Sequence, residues 1–225
     1  MEIAGLDAAS RVLGGAVLGP PEIAAALGFD AAAVLDDTER RAVARLPFAT
    51  AELERAAADG AMLVLRLPRD VEGPLTMLRL AERLGGGLDP KVHTGVGYLL
   101  RDEWTIDDQP FAAAETCPAG WRLVRREPLA ATLNRTYRDQ DTVLAAAGSN
   151  ASAPHRRSAV EIAFDTLCWQ RVHGERLLGS HWDWSRSETT DRGYVALGEF
   201  GPQGLRIAAY STGVRFGTLG VCPQR

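Results

Sequence analysis

The residue types best suited to catalysis lie together in one short run. His181, Asp183 and Ser185 are the three types of a serine–histidine–aspartate triad, at alternate positions of a predicted β-strand. Alternate residues of a strand share a face but lie about 6–7 Å apart. A triad needs hydrogen-bonded contact and an oxyanion hole, which neighbours along one strand rarely supply. The run is therefore interpreted as scaffold, and we predict no catalytic residues.

The histidines and cysteines lack the spacing of a metal site. No His-x-x-x-His pair occurs, and the cysteines are too few and too scattered for a zinc site or a disulfide framework. The residues are His93, His155, His173 and His181, with Cys117, Cys168 and Cys222. We predict neither a metal nor a cofactor.

Two further motifs are similar to ligand sites only in part. Four acidic residues around Trp104 could hold calcium, but their spacing is not that of an EF-hand, and a solvated acidic loop is favoured. They are Asp102, Glu103, Asp107 and Asp108. The glycines of residues 85–87 are followed by no Gly-Lys-Ser/Thr, so a phosphate loop is not predicted.

Composition narrows the functional classes. The chain has 225 residues, of which 46% are hydrophobic and 24% charged, typical of a globular protein. Its net charge of −4 disfavours a nucleic-acid partner, because phosphate binding requires a basic face. No secretory signal and no apolar run of membrane-spanning length are evident. We expect a cytoplasmic protein with reduced thiols and no membrane contact.

The first 58 residues are rich in alanine and predict helices. Proline starts and glycine stops place them at residues 6–18, with an interruption at Gly14 and Gly15, and at residues 20–27, 30–45 and 50–58, with Asp30 as a cap. A helix-turn-helix reader of DNA is the alternative. A packed helical segment is favoured because the helices are not basic.

The rest of the chain alternates strand and helix signals. Ser158 and Glu161 form a capping box before a helix whose buried face includes Cys168, which is therefore assigned to the core. A strand is predicted to begin at Trp121. The other predictions are strands at residues 61–67 and 96–100 and helices at residues 74–84 and 130–147.

Three segments resemble the C-type-lectin-like fold. They read Cys-Pro-Ala-Gly-Trp-Arg-Leu at 117–123, Trp-Asp-Trp-Ser-Arg-Ser-Glu at 182–188 and Leu-Gly-Val at 219–221. The first is similar to the Cys-Pro-x-Gly-Trp-x-Leu start of several bacterial branches of that fold. The second matches their Trp-Ser-Ser-Thr-Glu-like middle in part. The resemblance covers roughly residues 95–225.

The resemblance implies an α+β architecture: small twisted antiparallel sheets with two flanking helices, preceded here by a helical segment. We therefore expect a helical N-terminal segment at residues 1–58 and a C-type-lectin-like ligand-binding domain at residues 61–225. In that family the ends of the domain pair as strands, which would place Cys117 near Cys222, bonded or not.

Within that fold, the layout after residue 205 resembles the variable proteins of diversity-generating retroelements. Those systems mutate adenines, so the codons they change do not yield Lys, Glu, Gln, Met or Trp. Residues 206–218 contain none of the five. A strand and loop without diversification stays an open alternative, because the five types are scarce throughout the chain.

The expected function is non-catalytic binding of a ligand, predicted to be a protein, with the oligomeric state left open. Leu205, Ile207 and Ala209 are alternate residues and form one face of a predicted half-buried strand. A surface loop of small, polar residues follows. Arginine, tyrosine and phenylalanine on loops are typical of protein-binding surfaces. The predicted ligand-binding residues are Arg206, Ala208, Tyr210, Thr212, Val214, Arg215, Phe216 and Thr218, with Trp182 and Arg186 beside them.

Two alternatives remain. Formylglycine-generating oxygenases share the fold and use a cysteine pair, but Cys117 and Cys222 lie far apart in the sequence. The other alternative is a structural subunit of a defence or phage-like assembly, with residues 1–58 as its docking part.

Overall fold

A computed structural model of the chain describes residues 3–85, 87–93, 109–147, 154–190 and 192–225. These residues form an α+β protein with two small sheets. The strand predicted at residues 96–100 and the acidic loop around Trp104 lie outside the described residues. No helix within the described ranges has the length and apolarity to cross a membrane.

The N-terminal part contains five helices and one short strand in its described residues. They are α1 (Leu6–Val12), β1 (Val17–Leu18), α2 (Pro20–Leu27), α3 (Ala31–Val34), α4 (Asp37–Val43) and α5 (Thr50–Ala58). The predictions for α2 and α5 are confirmed. The helix predicted at residues 6–18 is interrupted at Gly14 and Gly15 as expected, since their φ values of 61° and 83° end it, but the chain after them forms β1 and not a continuation of the helix.

The helix predicted at residues 30–45 is two helices. Asp30 caps α3 through the backbone N–H of Ala32, as expected. Leu35 then adopts an extended conformation, and Asp36 begins α4 with a capping box of its own. A second strong cap inside the alanine-rich stretch therefore overrides continuous helix propensity.

The middle of the chain supplies the long helix that the sheets pack against. Its elements are β2 (Ala61–Arg66), α6 (Met77–Leu84), β3 (Leu88–His93), α7 (Pro110–Ala114), β4 (Gly120–Arg125), α8 (Tyr137–Ala146) and α9 (Ala159–His173). The helix predicted at residues 130–147 is shorter, since a 3-10 turn at Ala130–Thr132 precedes α8. The capping box of Ser158 and Glu161 begins α9, as predicted.

Four strands complete the chain: β5 (Trp182–Glu188), β6 (Tyr194–Gly201), β7 (Gly204–Tyr210) and β8 (Leu219–Gly220). The larger sheet has the order β3-β7-β6-β5-β8, and the smaller has the order β1-β2-β4. The expectation of antiparallel sheets holds for β2–β4, β5–β6 and β6–β7, but both sheets are mixed, because β1–β2, β3–β7 and β5–β8 are parallel pairs. Each of these pairs adds an edge strand to a sheet, next to a strand that is distant from it in the sequence.

Residues 223–225 continue the smaller sheet beside β4. Leu123 and Arg225 exchange two backbone hydrogen bonds of 3.0 and 2.9 Å, and Gln224 bridges to His155. The pairing runs antiparallel, so Cys222 lies beyond the Arg125 end of β4, whereas Cys117 precedes the Gly120 end. The expected closeness of the two cysteines is therefore wrong, and both are free thiols.

One cluster of buried apolar side chains extends from Ile3 in the N-terminal part to Cys222. Helices α1 to α5 contribute to this cluster together with β2, β4 and α9. The division at residues 58 and 61 coincides with the end of α5 and the start of β2. The position stays a prediction as a domain boundary, because side chains from before and after it pack in the same apolar cluster.

Candidate functional site

The most exposed part of the predicted site is the loop of residues 211–218 between β7 and β8, here called the display loop. Its residues are exposed except Val214, which is half-buried. Phe216 is 38% exposed. In the described part of the chain, Phe216 and Val71 are the large hydrophobic side chains that are exposed. The display loop therefore presents an aromatic ring to solvent, as the sequence predicted for this segment.

Backbone hydrogen bonds hold the display loop in place. The N–H groups of Asn134 and Tyr137 donate to the carbonyls of Phe216 and Thr212 at 3.0 and 3.1 Å. Trp182 on β5 donates to the carbonyl of Thr218 at 2.8 Å. The loop is thus fixed to the start of α8 on one side and to β5 on the other, which reduces the conformational entropy that binding must remove.

A cluster of aromatic side chains lies under the display loop. The Tyr210 ring contacts the Phe216 ring with centroids 5.4 Å apart and meets Trp182 and Trp184 edge-on at 6.3 and 6.1 Å. Tyr137 meets Trp184 edge-on at 5.0 Å. Such edge-to-face pairs are favourable and rigid. The exposed Phe216 ring therefore lies on a packed aromatic support.

Three of the predicted binding residues belong to this support. Ala208 is fully buried, and Tyr210 and Trp182 are each 3% exposed. They offer no surface to a ligand, so their assignment as contact residues is corrected to support of the loop. The alternation predicted for β7 is also wrong, because both of its faces are covered and Arg206 alone in the strand is half-buried.

Arg206 lies apart from the display loop. It is at the other end of β7, opposite Gly198, and its guanidinium pairs with Glu199 at 2.8 Å. Four residues of strand, about 13 Å, separate it from Tyr210. The predicted residues that the structure brings together on the surface are therefore Thr212, Val214, Arg215, Phe216 and Thr218.

Arg186 is half-exposed but is committed to the interior. One guanidinium nitrogen lies 3.2 Å from a carboxylate oxygen of Glu161, which is 1% exposed, and another donates to the carbonyl of Arg156 at 2.9 Å. Its role in ligand contact is thus not favoured. It balances a charge that the fold has buried.

That charge belongs to a buried network that joins β2, α9 and β5. Arg66 donates to Asp165 at 2.8 Å and to Glu161 at 2.7 Å, and Arg157 lies 2.7 Å from both Asp165 and Asp183. Three buried carboxylates face two buried guanidinium groups, and Arg186 supplies the third positive charge. The network positions the strand that anchors the display loop.

The pKa shifts of Arg157 and Glu161 favour their charged forms, whereas burial raises the pKa of Asp183 in spite of the neighbouring Arg157. Burial alone would lower the pKa of Arg157, but the carboxylates of Asp183 and Asp165 outweigh it and raise the pKa above its ordinary value. Burial alone would raise the pKa of Glu161. Arg66, the Ser158 N–H and Arg186 outweigh burial, so the pKa of Glu161 is held below its usual range.

The sequence held signals of this network that were missed. Arg66 ends a strand whose other residues are apolar, and a buried cation requires a buried acid partner. Glu161 and Asp165 are spaced i and i+4, which places both on one face of α9.

The triad-like residues do not form a triad. Asp183 accepts two hydrogen bonds from Arg157 and one from the Cys222 N–H at 2.8 Å. The Ser185 hydroxyl accepts from the Ser187 N–H, and the His181 ring contacts the Ser180 hydroxyl. Each of the three side chains therefore contacts groups outside the set of His181, Asp183 and Ser185.

The cysteines are not arranged for redox or nucleophilic chemistry. All three are buried, and burial raises the pKa of each thiol. A protonated, inaccessible thiol is a poor nucleophile. Over the described ranges, no group of three or more His, Cys, Asp or Glu side chains converges where it could hold a metal ion.

Comparisons with known proteins give no relative for this chain. No protein-family model, no curated protein and no solved structure matches it.

Proposed function

We propose that this chain is a non-catalytic binding protein whose display loop recognises a protein ligand on a C-type-lectin-like scaffold. The observation that carries the proposal is the exposed Phe216 ring on a loop tied by hydrogen bonds to α8 and β5. A rigid aromatic anchor with adaptable small residues around it is typical of protein-binding surfaces.

The order of elements supports the scaffold. Within the proposed lectin-like domain at residues 61–225, α8 and α9 follow β4 as the two helices, and residues 223–225 return to pair with β4. This pairing supports the proposal, because the resemblance implies that strands at the ends of the domain pair. We place the protein in the cytoplasm, with no nucleic acid and no membrane as partner and with its oligomeric state open.

The two alternative functions have less support. The buried, separate thiols of Cys117 and Cys222 do not favour the cysteine chemistry of an oxygenase. No observation favours the structural-subunit alternative, in which residues 1–58 would be the docking part; the buried apolar side chains of α1 to α5 contribute to the shared core.

The proposal is tested by selecting peptides from a displayed random library on the immobilised protein. The variant Thr212→Ala, Arg215→Ala, Phe216→Ala removes three exposed side chains from the display loop. Tyr210 is left unchanged, because replacing a buried side chain would confound binding with unfolding. We expect the selected peptides to bind this variant at least ten-fold more weakly, since central aromatic and arginine anchors carry most of the binding energy.

A matched control changes the same residue classes on other surfaces. Arg11, Val71 and Thr142 are exposed, and their combined replacement by alanine removes an arginine, an apolar side chain and a threonine. This control should bind as the wild type does. Equal binding by the display-loop variant would refute the proposed site.

The retroelement resemblance adds a finer proposal, namely that the display loop is diversified. Buried Ile207, Ala208 and Tyr210 tolerate little change, so variation should concentrate at residues 211–218. The test is the genomic DNA: a near-copy of this coding stretch, differing at adenines, beside a reverse transcriptase gene. A locus without such a copy would refute diversification and leave the binding proposal intact.

A further inference from the structure

The surface around Phe216 carries more positive than negative charge. Arg135 and Arg215 are exposed and lie near the same carboxylate, that of Asp139. Hydrogen bonding by Thr136 and the charges of Arg215 and Arg135 lower the pKa of Asp139, which keeps it ionised. Two cations thus face one anion on a chain whose net charge is −4.

Some arginines of the described structure are held in close ion pairs, whereas Arg135 and Arg215 are not. Arg66, Arg79, Arg157 and Arg206, for example, each have a carboxylate within 4 Å. For Arg135 and Arg215, the described residues supply no carboxylate at that distance. Within these residues neither charge is neutralised by a close ion pair, and the Arg135 Nε–H donates to the carbonyl of Ala131 at 2.9 Å.

Arg138 adds a third exposed cation, in the first turn of α8. It follows Tyr137, whose N–H binds the display loop. The helix dipole disfavours a cation at this end of a helix, so the position does not serve helix stability. A residue that opposes its local structure is a reasonable candidate for a functional role.

We infer that the display loop binds an acidic protein segment, one that packs an apolar side chain on Phe216 and places carboxylates against Arg135, Arg138 and Arg215. This inference rests on the proposed function and names its partner by charge and shape. Phe216 supplies the apolar contact, and the arginines supply bidentate donors for carboxylates. Rim charges of this kind act mainly on the association rate and on partner choice.

The experiment uses peptides recovered from the random library on the full-length protein. We expect them to be enriched in Asp and Glu around an apolar residue. Their association rate should fall at least several-fold between 50 and 500 mM NaCl, because salt screens the attraction between exposed charges that are about a nanometre or more apart. The variant Arg135→Glu, Arg138→Glu, Arg215→Glu should lose these peptides and select basic ones instead.

Three outcomes would overturn the inference, and they differ in what they leave standing. Peptides that need Phe216 but show no acidic enrichment and no salt dependence refute the acidic partner alone. Peptides that bind the alanine variant of the display loop unchanged refute the proposed function as well. Displacement by single-stranded DNA at micromolar concentration would assign the arginines to a nucleic acid. Thermal melting of each variant, expected to match the wild type, separates loss of binding from loss of folding.

Discussion

Replacing Arg186 by glutamine tests whether this residue stabilises the fold or contacts the ligand. Its guanidinium lies 3.2 Å from Glu161, which is 1% exposed, while 48% of its own side chain is exposed. A pair between exposed side chains contributes about 0–1 kcal/mol, and breaking a fully buried pair costs about 3–5 kcal/mol. With one partner in solvent and screened, we expect the free energy of unfolding to fall by about 1–2 kcal/mol.

The pH dependence of this loss follows from the direction of the Glu161 shift. The folded-state pKa of Glu161 is lowered, so its contribution to stability is present above its unfolded pKa of about 4.3. That contribution is lost as pH falls through the folded pKa. The difference between wild type and Arg186→Gln should therefore be full at pH 7 and shrink below about pH 4.

Urea unfolding at several pH values measures the effect, with Arg215→Gln as the matched control. Arg215 is exposed and has no carboxylate close by in the described residues, so its replacement should leave stability within about 0.5 kcal/mol. Arg215→Gln should bind the selected peptides more weakly, whereas Arg186→Gln should bind them as the wild type does. A stable Arg186→Gln protein that has lost its ligand would refute the scaffold role.

Three further results are expected. A Cβ at Gly198 would lie 2.1 Å from the carbonyl oxygen of His181, so Gly198→Ala should lower the melting temperature by several degrees, whereas Gly213→Ala, with open space around it, should not. Burial would raise the pKa of Asp70, but hydrogen bonds donated by Arg79 and Arg83 lower it. Asp70→Asn should therefore destabilise the protein at pH 7 and much less below about pH 3, as measured by thermal melting. A thiol reagent should titrate the cysteines only after denaturation; rapid reaction of the folded protein would contradict their burial.

The sequence was most informative where the signal is local. The capping box of Ser158 and Glu161 fixes the start of α9, and the boundaries of α5 follow from propensity and the Asp59-Gly60 stop. These features depend on neighbours a few residues away. Consequently they could be predicted without knowledge of the fold.

Features that depend on distant partners were missed. β1 has two residues and exists because Val17 and Leu18 pair with Leu63 and Val64, a contact that no local pattern encodes. The burial of Tyr210 likewise depends on aromatic rings supplied by α8 and β5. Periodicity indicated a half-buried strand there, and tertiary packing covered its second face.

The surface exposure of residues 211–218 was predicted, whereas the burial of several predicted contact residues was not. Composition indicated that residues 211–218 form a surface loop, and the structure exposes them. Sequence alone could not separate Phe216, which faces solvent, from Tyr210, which supports it, because both are aromatic residues of one tract. It also could not show that Arg186 is held by Glu161.

The most direct test of the central claim is a hydrogen-exchange footprint of a selected peptide on the full-length protein. If the display loop is the recognition surface, binding should slow amide exchange at residues 211–218 and at the adjoining residues 134–139. Protection confined to another surface, such as the groove of about 190 Å³ beside Ala56, Leu123 and Pro223, would contradict the claim.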